Sequence, residues 1–272
     1  MTPVTEVKTN PNPASELRGV AGGAATAPAS VSEARKTEMN PGAEVTDFAM
    51  SVISKDDAGA KLETTLPEPL SLPWELKPLS SARSGLKTLK DGRRCFWVDE
   101  FLKGVTPKML VWWFSHLEGE VEIGDRLLSR YRVFHPFDHC WARYVRRGPD
   151  GSIGPGAQIQ ICEFIARNPR YKTKVTATIE KLDESGFINN VVVAGLSIVR
   201  MEHDFHQTEG GTRFEHRLIT PGNKKLWLLS KPISAFMFPN PKGQAWLKHA
   251  IEEMGSLENF LPQLYEREVA RT

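Results

Sequence analysis

The run QIQIC at residues 158–162 and the run RFEHRLI at residues 213–219 both alternate polar and apolar side chains. Strict alternation is typical of strands that bury one face. Residues 172–179 alternate in the same way, and a polar break at residues 183–186 separates them from the strand-like residues 187–199. The glycine pair before the last run favours a turn between antiparallel strands. This part of the chain therefore predicts an antiparallel sheet.

Helical patterns flank the predicted sheet on both sides. Ahead of it, a strand is predicted at residues 95–101, followed by a helix that starts after the N-cap Thr106 and ends at Gly119. Behind it, helices are predicted at residues 241–254 and 257–268. This order predicts an α+β domain in which a curved antiparallel sheet wraps around a long C-terminal helix. Such a domain leaves a cavity for small ligands between sheet and helix.

The first 66 residues are predicted to form a disordered N-terminal tail. They contain no aromatic residue before Phe48, and Pro, Ala, Gly, Thr and Ser dominate residues 2–43. Such a segment cannot bury enough apolar surface to offset the entropy of ordering. All seven tryptophans lie from Trp74 onward, so the folded domain is expected at residues 67–272.

Composition excludes several classes of protein. The chain has 272 residues and a formal charge of only +2, whereas nucleic-acid binders usually carry a larger basic excess. The basic cluster at residues 143–147 is interpreted as a solvated face. No apolar run approaches about 18 residues, and residues 1–9 show no secretory signal. Three cysteines without a CxxC pair indicate a reducing compartment, so we expect a cytoplasmic protein that binds neither nucleic acid nor membrane.

One short segment concentrates residue types that bind metals. Residues 132–139 read RVFHPFDH, which places His135, Asp138 and His139 within five positions. Neutral imidazole and carboxylate are ligands that suit zinc. A polar loop with incidental histidines would show the same pattern, so the spacing alone leaves both interpretations open.

The predicted C-terminal helix carries a second pair of such residues. His249 and Glu253 are four positions apart, so a helix places them on one side. On a helical wheel of about 100° per residue, Glu253 falls within the apolar stripe and His249 at its edge, while Lys248 and Glu252 point the other way. A carboxylate that faces a core is costly unless it is paired or bound to a metal. The alternative is a surface His–Glu pair.

A third candidate is Glu163, an acid inside the apolar run ICEFI at residues 161–165. Alternation also allows this side chain to face solvent. Together, a loop, a strand and a helix supply the imidazoles and carboxylates of a predicted metal site.

In their order, these blocks resemble the diacetylphloroglucinol hydrolase and phloretin hydrolase family. The resemblance extends over roughly residues 75–265 and includes WWF at residues 112–114, HPFDH at residues 135–139 and the two later acidic blocks. Family members are zinc enzymes that hydrolyse the carbon–carbon bond between an acyl group and a phloroglucinol ring. The resemblance implies the helix-grip fold of the birch-pollen allergen. It also implies a smaller N-terminal part, at residues 67–120, that serves a homodimer.

The resemblance also implies a set of site residues. Carried over by position, the Zn²⁺ ligands are His135, Glu163, His249 and Glu253, with His139 as a competitor for His135. The substrate, a phenolic acyl ketone, is implied to contact Tyr131, Asp138, His139 and one of His203, His206 or His216, with Tyr131, Asp138 and His203 in catalytic roles. The chain departs from the family because no tyrosine occurs between Tyr171 and Tyr265, where a second phenol-binding tyrosine is expected.

Three kinds of protein remain as alternatives to this hydrolase, and the weakest of them is an interaction protein organised by its N-terminal tail. The same fold class includes carriers of small apolar ligands, and it includes polyketide cyclases that use the cavity without a metal. Neither of these two requires carboxylates that face inward, so the metal content of the purified protein separates them from the hydrolase.

Overall fold

The fold is seen in a computed structural model that describes residues 65–223 and 227–270. The predicted tail at residues 1–66 lies outside these residues, apart from its last two positions. Within the described part of the chain, no helix is both long enough and apolar enough to cross a membrane.

The described residues form ten strands and five α-helices. The strands are β1 (Arg83–Thr88), β2 (Arg94–Lys103), β3 (Glu120–Ile123), β4 (Arg126–Ser129), β5 (His139–Arg146), β6 (Gln158–Phe164), β7 (Lys172–Asp183), β8 (Gly186–Val193), β9 (Leu196–Thr208) and β10 (Gly211–Thr220). The helices are α1 (Pro107–Phe114), α2 (Arg130–Phe134), α3 (Trp227–Met237), α4 (Asn240–Ser256) and α5 (Leu261–Val269).

Eight strands form one sheet in the order β1-β2-β10-β9-β8-β7-β6-β5, while β3 and β4 form a separate hairpin. All neighbours in the large sheet are antiparallel. The register places His203 opposite His216 and His139 opposite Glu163. Residues that pair across two neighbouring strands point to the same face of the sheet. His203 and His216 therefore share a face, and so do His139 and Glu163.

The sheet curves around α4. Buried residues of this helix, including Trp246 and Ile251, belong to one apolar cluster with Phe96 of β2 and with Ile165, which follows β6. Five strand spacings separate β2 from β6, which is about 24 Å in a flat sheet. A helix is only about 10–12 Å wide, so it can contact both places only if the sheet bends around it. The predicted α+β helix-grip fold is thereby confirmed.

Two predicted elements have different limits. Helix α1 ends at Phe114 rather than at Gly119, because the Ser115 hydroxyl donates a hydrogen bond to the Trp112 carbonyl and the backbone leaves the helix there. The stretch 187–199 is two strands, because Ala194 and Gly195 adopt φ values of 49° and 79° and form a turn. An Ala-Gly turn inside an apolar run is a weak sequence signal, since Asn-Gly or Asp-Gly is the strong one.

Residues 67–120 are part of the main domain. Strand β2 lies between β1 and β10 in the large sheet, and Trp113 and Phe114 of α1 are buried in the main core. These residues therefore share the sheet and the core of the rest of the domain, and their role in dimerisation stays a prediction.

We expect Gly243→Ala to destabilise the fold by about 1–3 kcal/mol, even though alanine favours helices over glycine. A Cβ atom at position 243 would lie 2.1 Å from the Phe96 ring, so the ring or the helix must move. Urea denaturation monitored by circular dichroism measures the change. Phe96→Leu should cost less stability in the Gly243→Ala background than in wild type. Equal costs in the two backgrounds would show that the two residues are not in close contact.

Candidate metal centre and ligand cavity

Three parts of the fold bring the predicted ligands together. His135, Asp138 and His139 lie where α2 gives way to β5, Glu163 lies on β6, and His249 and Glu253 lie on α4. His135, Asp138, His139, Glu163 and His249 are all buried, with relative exposures of 8% or less. The apolar stripe of α4 packs against the sheet, and this packing turns His249 inward.

Two carboxylates approach the same nitrogen of His249. The Nε2 atom of His249 lies 3.1 Å from Glu163 Oε2 and 3.2 Å from Glu253 Oε2. The Nε2 atom of His139 lies 3.6 Å from Glu163 Oε2. We call these four residues the ligand cluster. Ligand atoms that share a tetrahedral zinc at about 2.0–2.1 Å lie roughly 3.3 Å apart. The ligand atoms of His139, Glu163 and His249 all lie within 4.8 Å of one another, so these three residues are close enough to hold one ion, and Glu253 adjoins them through His249.

The hydrogen bonds of both histidines leave their Nε2 atoms available. His139 Nδ1 donates to the Tyr131 carbonyl at 2.7 Å, and His249 Nδ1 donates to Asp138 Oδ2 at 2.9 Å. A proton on Nδ1 puts the lone pair of a neutral imidazole on Nε2, which is how most metal-binding histidines are oriented. The buried Nε2 atom of His139 has no hydrogen-bond partner in the described residues. The residues present therefore fit a divalent ion.

Asp138 orients His249 and does not face the cavity. Its carboxylate also accepts hydrogen bonds from the backbone N–H groups of Ala166 and Arg167, at 2.8 and 3.0 Å. These two residues have φ values of 55° and 53°, a left-handed conformation that aims both N–H groups at one acceptor. Burial alone would raise the pKa of Asp138, but the bond from His249 and those from the backbone lower it to about 2.

His135 lies beside the ligand cluster. Its ring stacks on that of His249 with centroids 4.4 Å apart, and its Nδ1 accepts the Asp138 backbone N–H at 3.2 Å. Its Nε2 lies 3.4 Å from Glu252 Oε2. Glu252 thus contacts a buried residue, although the helical wheel predicted that it points away from the core. Its carboxylate also pairs with the exposed Lys248. His139 thus forms one possible metal-binding group with Glu163 and His249, while His135 forms a second one with Asp138 and His249.

Charge is unbalanced around His249. Burial lowers the pKa of its imidazole, but Asp138, Glu163 and Glu253 outweigh this effect and raise the pKa well above 6.5. Burial, together with the neighbouring charge of His249, lowers the pKa of His139 well below 6.5. In the metal-free protein His249 is therefore the cation that three carboxylates share, and His139 is neutral.

We expect metal binding to release about one proton and to tighten by about tenfold per pH unit below the raised pKa of His249, because only the neutral imidazole can bind the ion. The stability of the metal-free fold depends on pH in the opposite sense to metal affinity. The raised pKa stabilises the metal-free fold below pH 6.5, and this contribution is lost as the pH rises through the folded-state pKa. Calorimetry in buffers of different ionisation enthalpy measures the proton count. Binding without proton release would contradict the charge state described above.

A small cavity opens beside the ligand cluster, between the sheet and α4. We call it the metal-side cavity; its volume is about 70 Å³, and Glu163, His249 and Glu253 line it. Its remaining polar lining is Tyr131, Asn189, His203 and His216. Ligand pockets for larger molecules usually measure about 300–1,000 Å³, so this cavity takes a small ring or must widen on binding.

The predicted substrate residues divide into two sets. Tyr131, His203 and His216 line the metal-side cavity. His206 does not, because it is half exposed on the outer side of β9, near Glu215. His139 and Asp138, predicted to contact the substrate, are occupied with Glu163 and His249 instead.

The paired histidines are neutral hydrogen-bonding groups. The rings of His203 and His216 stack with centroids 3.9 Å apart, and none of their nitrogens has a partner in the described residues. Burial lowers the pKa of His203 to about 3 and that of His216 well below 6.5. Each ring therefore offers one donor and one acceptor to a ligand at neutral pH.

Sequence reasoning missed Asn189 as a site residue. Its Oδ1 atom is buried without a partner, and the side chain lines the metal-side cavity. The signal was available, because Asn189 has the same parity on β8 as the buried Phe187 and Val191. A polar residue at an inward-facing strand position indicates a ligand contact or a buried hydrogen bond.

The chain is similar to solved structures at the level of the helix-grip fold. Ara h 8.0201 matches with 14% identity and a TM-score of 0.40, over 62% of this chain and 98% of that one. A START superfamily protein from Mycobacterium smegmatis matches with 11% identity and a TM-score of 0.36, over 62% of this chain and 98% of that one. CalU16 from Micromonospora echinospora matches with 11% identity and a TM-score of 0.31, over 67% and 97%. No family model and no curated protein match the chain.

Proposed function

We propose that the protein is a metal-dependent hydrolase that removes an acyl group from a phenolic ring of the phloroglucinol type. The observation that carries the proposal is the ligand cluster, in which buried imidazole and carboxylate atoms lie 3.1 to 3.6 Å apart beside a ligand cavity. A carrier has no use for two inward-facing carboxylates, and their burial is costly without a compensating cation.

The residues that would hold the ion are His139, Glu163, His249 and Glu253. This set replaces His135 by His139 in the ligand set that the sequence implies. When bound, a divalent ion such as Zn²⁺ would polarise the acyl carbonyl and lower the pKa of water. Asp138 fixes the orientation of His249, and the Tyr131 carbonyl fixes that of His139.

The neutral groups of the cavity suit a ring with several hydroxyl or keto oxygens. His203, His216, Asn189 and Tyr131 line the metal-side cavity together. Burial, with Glu163 as the largest charge effect, raises the pKa of Tyr131 well above 10, so its phenol stays a donor. Hydrogen bonds from such groups stabilise the keto form of the ring, which spreads the charge left by the departing acyl group onto ring oxygens.

A proton must reach the ring carbon that loses the acyl group. Asp138 is unsuited to deliver it, because its pKa is about 2 and its carboxylate already accepts hydrogen bonds from His249 and from two backbone N–H groups. His203 lines the cavity, but burial lowers its pKa to about 3, so its neutral ring offers a hydrogen bond and does not deliver a proton. We therefore assign Asp138 to positioning and His203 to hydrogen bonding with the ring oxygens, and the proton would come from the water that attacks the acyl carbonyl.

Elemental analysis of the purified protein, combined with acid-release assays on acylphloroglucinols and dihydrochalcones, tests the proposal. We expect about one divalent ion per chain and acid release that chelation abolishes and added metal restores. His203→Gln should lower turnover and retain the metal. A protein that binds no divalent ion at micromolar concentration, or that retains its rate after the ion is removed, would refute the proposal.

A metal-free ligand carrier or polyketide cyclase is the second candidate, favoured by the largely apolar cavity between sheet and helix. Tight binding of phenolic ligands to chelated protein, without acid release, is the result expected of this candidate.

A further inference from the structure

A second cavity adjoins the metal-side cavity. Its volume is about 60 Å³, and we call it the lysine cavity after its one buried cation, Lys242. The two cavities share Ile161, Glu163, Met201 and Trp246 as lining residues. A ligand whose reacting group lies at the ligand cluster can therefore extend past these side chains into the lysine cavity.

The walls of the lysine cavity are almost entirely apolar. Besides Glu163 at its boundary, Thr173 and Lys242 are its only polar lining residues among those that the structure describes. The rest are mainly branched aliphatic side chains of the sheet, such as Val175, Ile198 and Leu218. Such walls suit a hydrocarbon chain.

Lys242 is an anomaly in these surroundings. It is only 7% exposed, and its ammonium group has one weak acceptor in the described residues, the Met237 carbonyl at 3.5 Å. The ammonium also lies 5.3 Å from the centre of the Phe238 ring. Within the described chain, no carboxylate lies within ion-pairing distance of Lys242. Two of its three N–H donors are therefore free for a ligand.

The energetics favour an external partner for this ammonium. A buried cation without a counter-charge is expensive, and burial lowers the pKa of Lys242 to about 8 although the charge of Glu163 opposes this shift. If the cavity served only hydrocarbon, methionine would fill the same space without that cost. An anionic oxygen on a ligand would supply the missing partner through a charge-assisted hydrogen bond.

We propose that the lysine cavity is a second binding subsite, which takes an apolar acyl chain that ends in an anionic oxygen held by Lys242. This inference rests on the proposed function for the direction of the chain, since the acyl carbonyl would lie at the ligand cluster. The volume of about 60 Å³ limits the chain to a few carbons unless the cavity widens. The ring then occupies the metal-side cavity, and the chain passes Trp246.

Binding to the full-length, metal-free protein tests the subsite separately from hydrolysis. The probes are two acylphloroglucinols of equal chain length, one with a five-carbon alkanoyl group and one whose chain ends in a carboxylate. Calorimetry with wild type, Lys242→Met and Lys248→Met measures the difference. Lys248 is the matched control, because it lies on the same helix but is exposed and pairs with Glu252.

We expect wild type and Lys248→Met to bind the carboxylate probe about 10- to 100-fold more tightly than the neutral probe, the usual range for a hydrogen bond to a charged group. Lys242→Met should lose this preference and bind the neutral probe at least as well. Equal affinities of wild type for both probes would overturn the subsite, whether or not Lys242→Met folds. A preference for the carboxylate probe, together with no acid release from either probe after the metal is restored, would support the subsite and refute the hydrolase.

Discussion

Replacing His249 by alanine is expected to abolish metal binding and turnover together and to destabilise the metal-free protein by about 3–5 kcal/mol. The imidazole contacts Glu163 and Glu253 through one nitrogen and Asp138 through the other. Its removal deletes a ligand and also leaves three carboxylates crowded without their shared cation. Elemental analysis measures the metal, and denaturation of the chelated protein measures the loss of stability.

The matched control for this experiment is His206→Ala. His206 is also a histidine, but it lies on the outer side of the sheet with about half of its side chain exposed. We expect this variant to keep the metal content and turnover of wild type, and a free energy of unfolding within about 0.5 kcal/mol of it. A His249→Ala protein that retains a full complement of metal would show that the ligand cluster is not the metal site.

His139→Ala should lower metal affinity by far more than His135→Ala does. The Nε2 atom of His139 is aimed at Glu163, whereas the Nδ1 of His135 accepts a backbone N–H and its Nε2 faces Glu252. We expect a loss of more than about 100-fold for His139→Ala and of about 10- to 100-fold at most for His135→Ala, the range found for residues that only support ligands. Competition with a chromogenic chelator measures both affinities.

If His135→Ala lowers metal affinity more than His139→Ala does, His135 and not His139 is the metal ligand. Circular dichroism of both variants controls for folding, because both rings are buried. The comparison thereby decides between the ligand set that the sequence resemblance implies and the one that the structure brings together.

The fold was largely predictable because its strands bury one face. Alternation at β6, β7 and β10 marked the sheet, and the apolar stripe of α4 marked the helix that the sheet encloses. Strands β1 and β5, the β3–β4 hairpin and helices α2 and α3 were missed. Residues 139–146 form an edge strand whose pairing with β6 contains register shifts, so their side chains do not keep a regular alternation.

The candidate site was predictable in its residue types and less so in its geometry. The HPFDH segment offers two histidines as metal ligands. Only the hydrogen bonds of their Nδ1 atoms, which the sequence does not reveal, distinguish the candidate ligand His139 from its neighbour His135. Glu252 could not be placed from a helical wheel, because its long side chain reaches His135 from the flank of the helix. The role of Lys242 depends on which cavity its side chain lines, and no local pattern encodes that. The inward-facing position of Asn189 on β8, in contrast, was a usable signal.

The backbone at Ala166 and Arg167 has a consequence for how the ion would be acquired. A left-handed conformation at a non-glycine residue costs on the order of 1–3 kcal/mol, and here it occurs twice in succession to hold one carboxylate. The framework of Asp138 and His249 is thus assembled when the chain folds, before any ion arrives. Such preorganisation means that loading requires only the loss of a proton and small side-chain adjustments, so the empty and loaded forms should share one backbone.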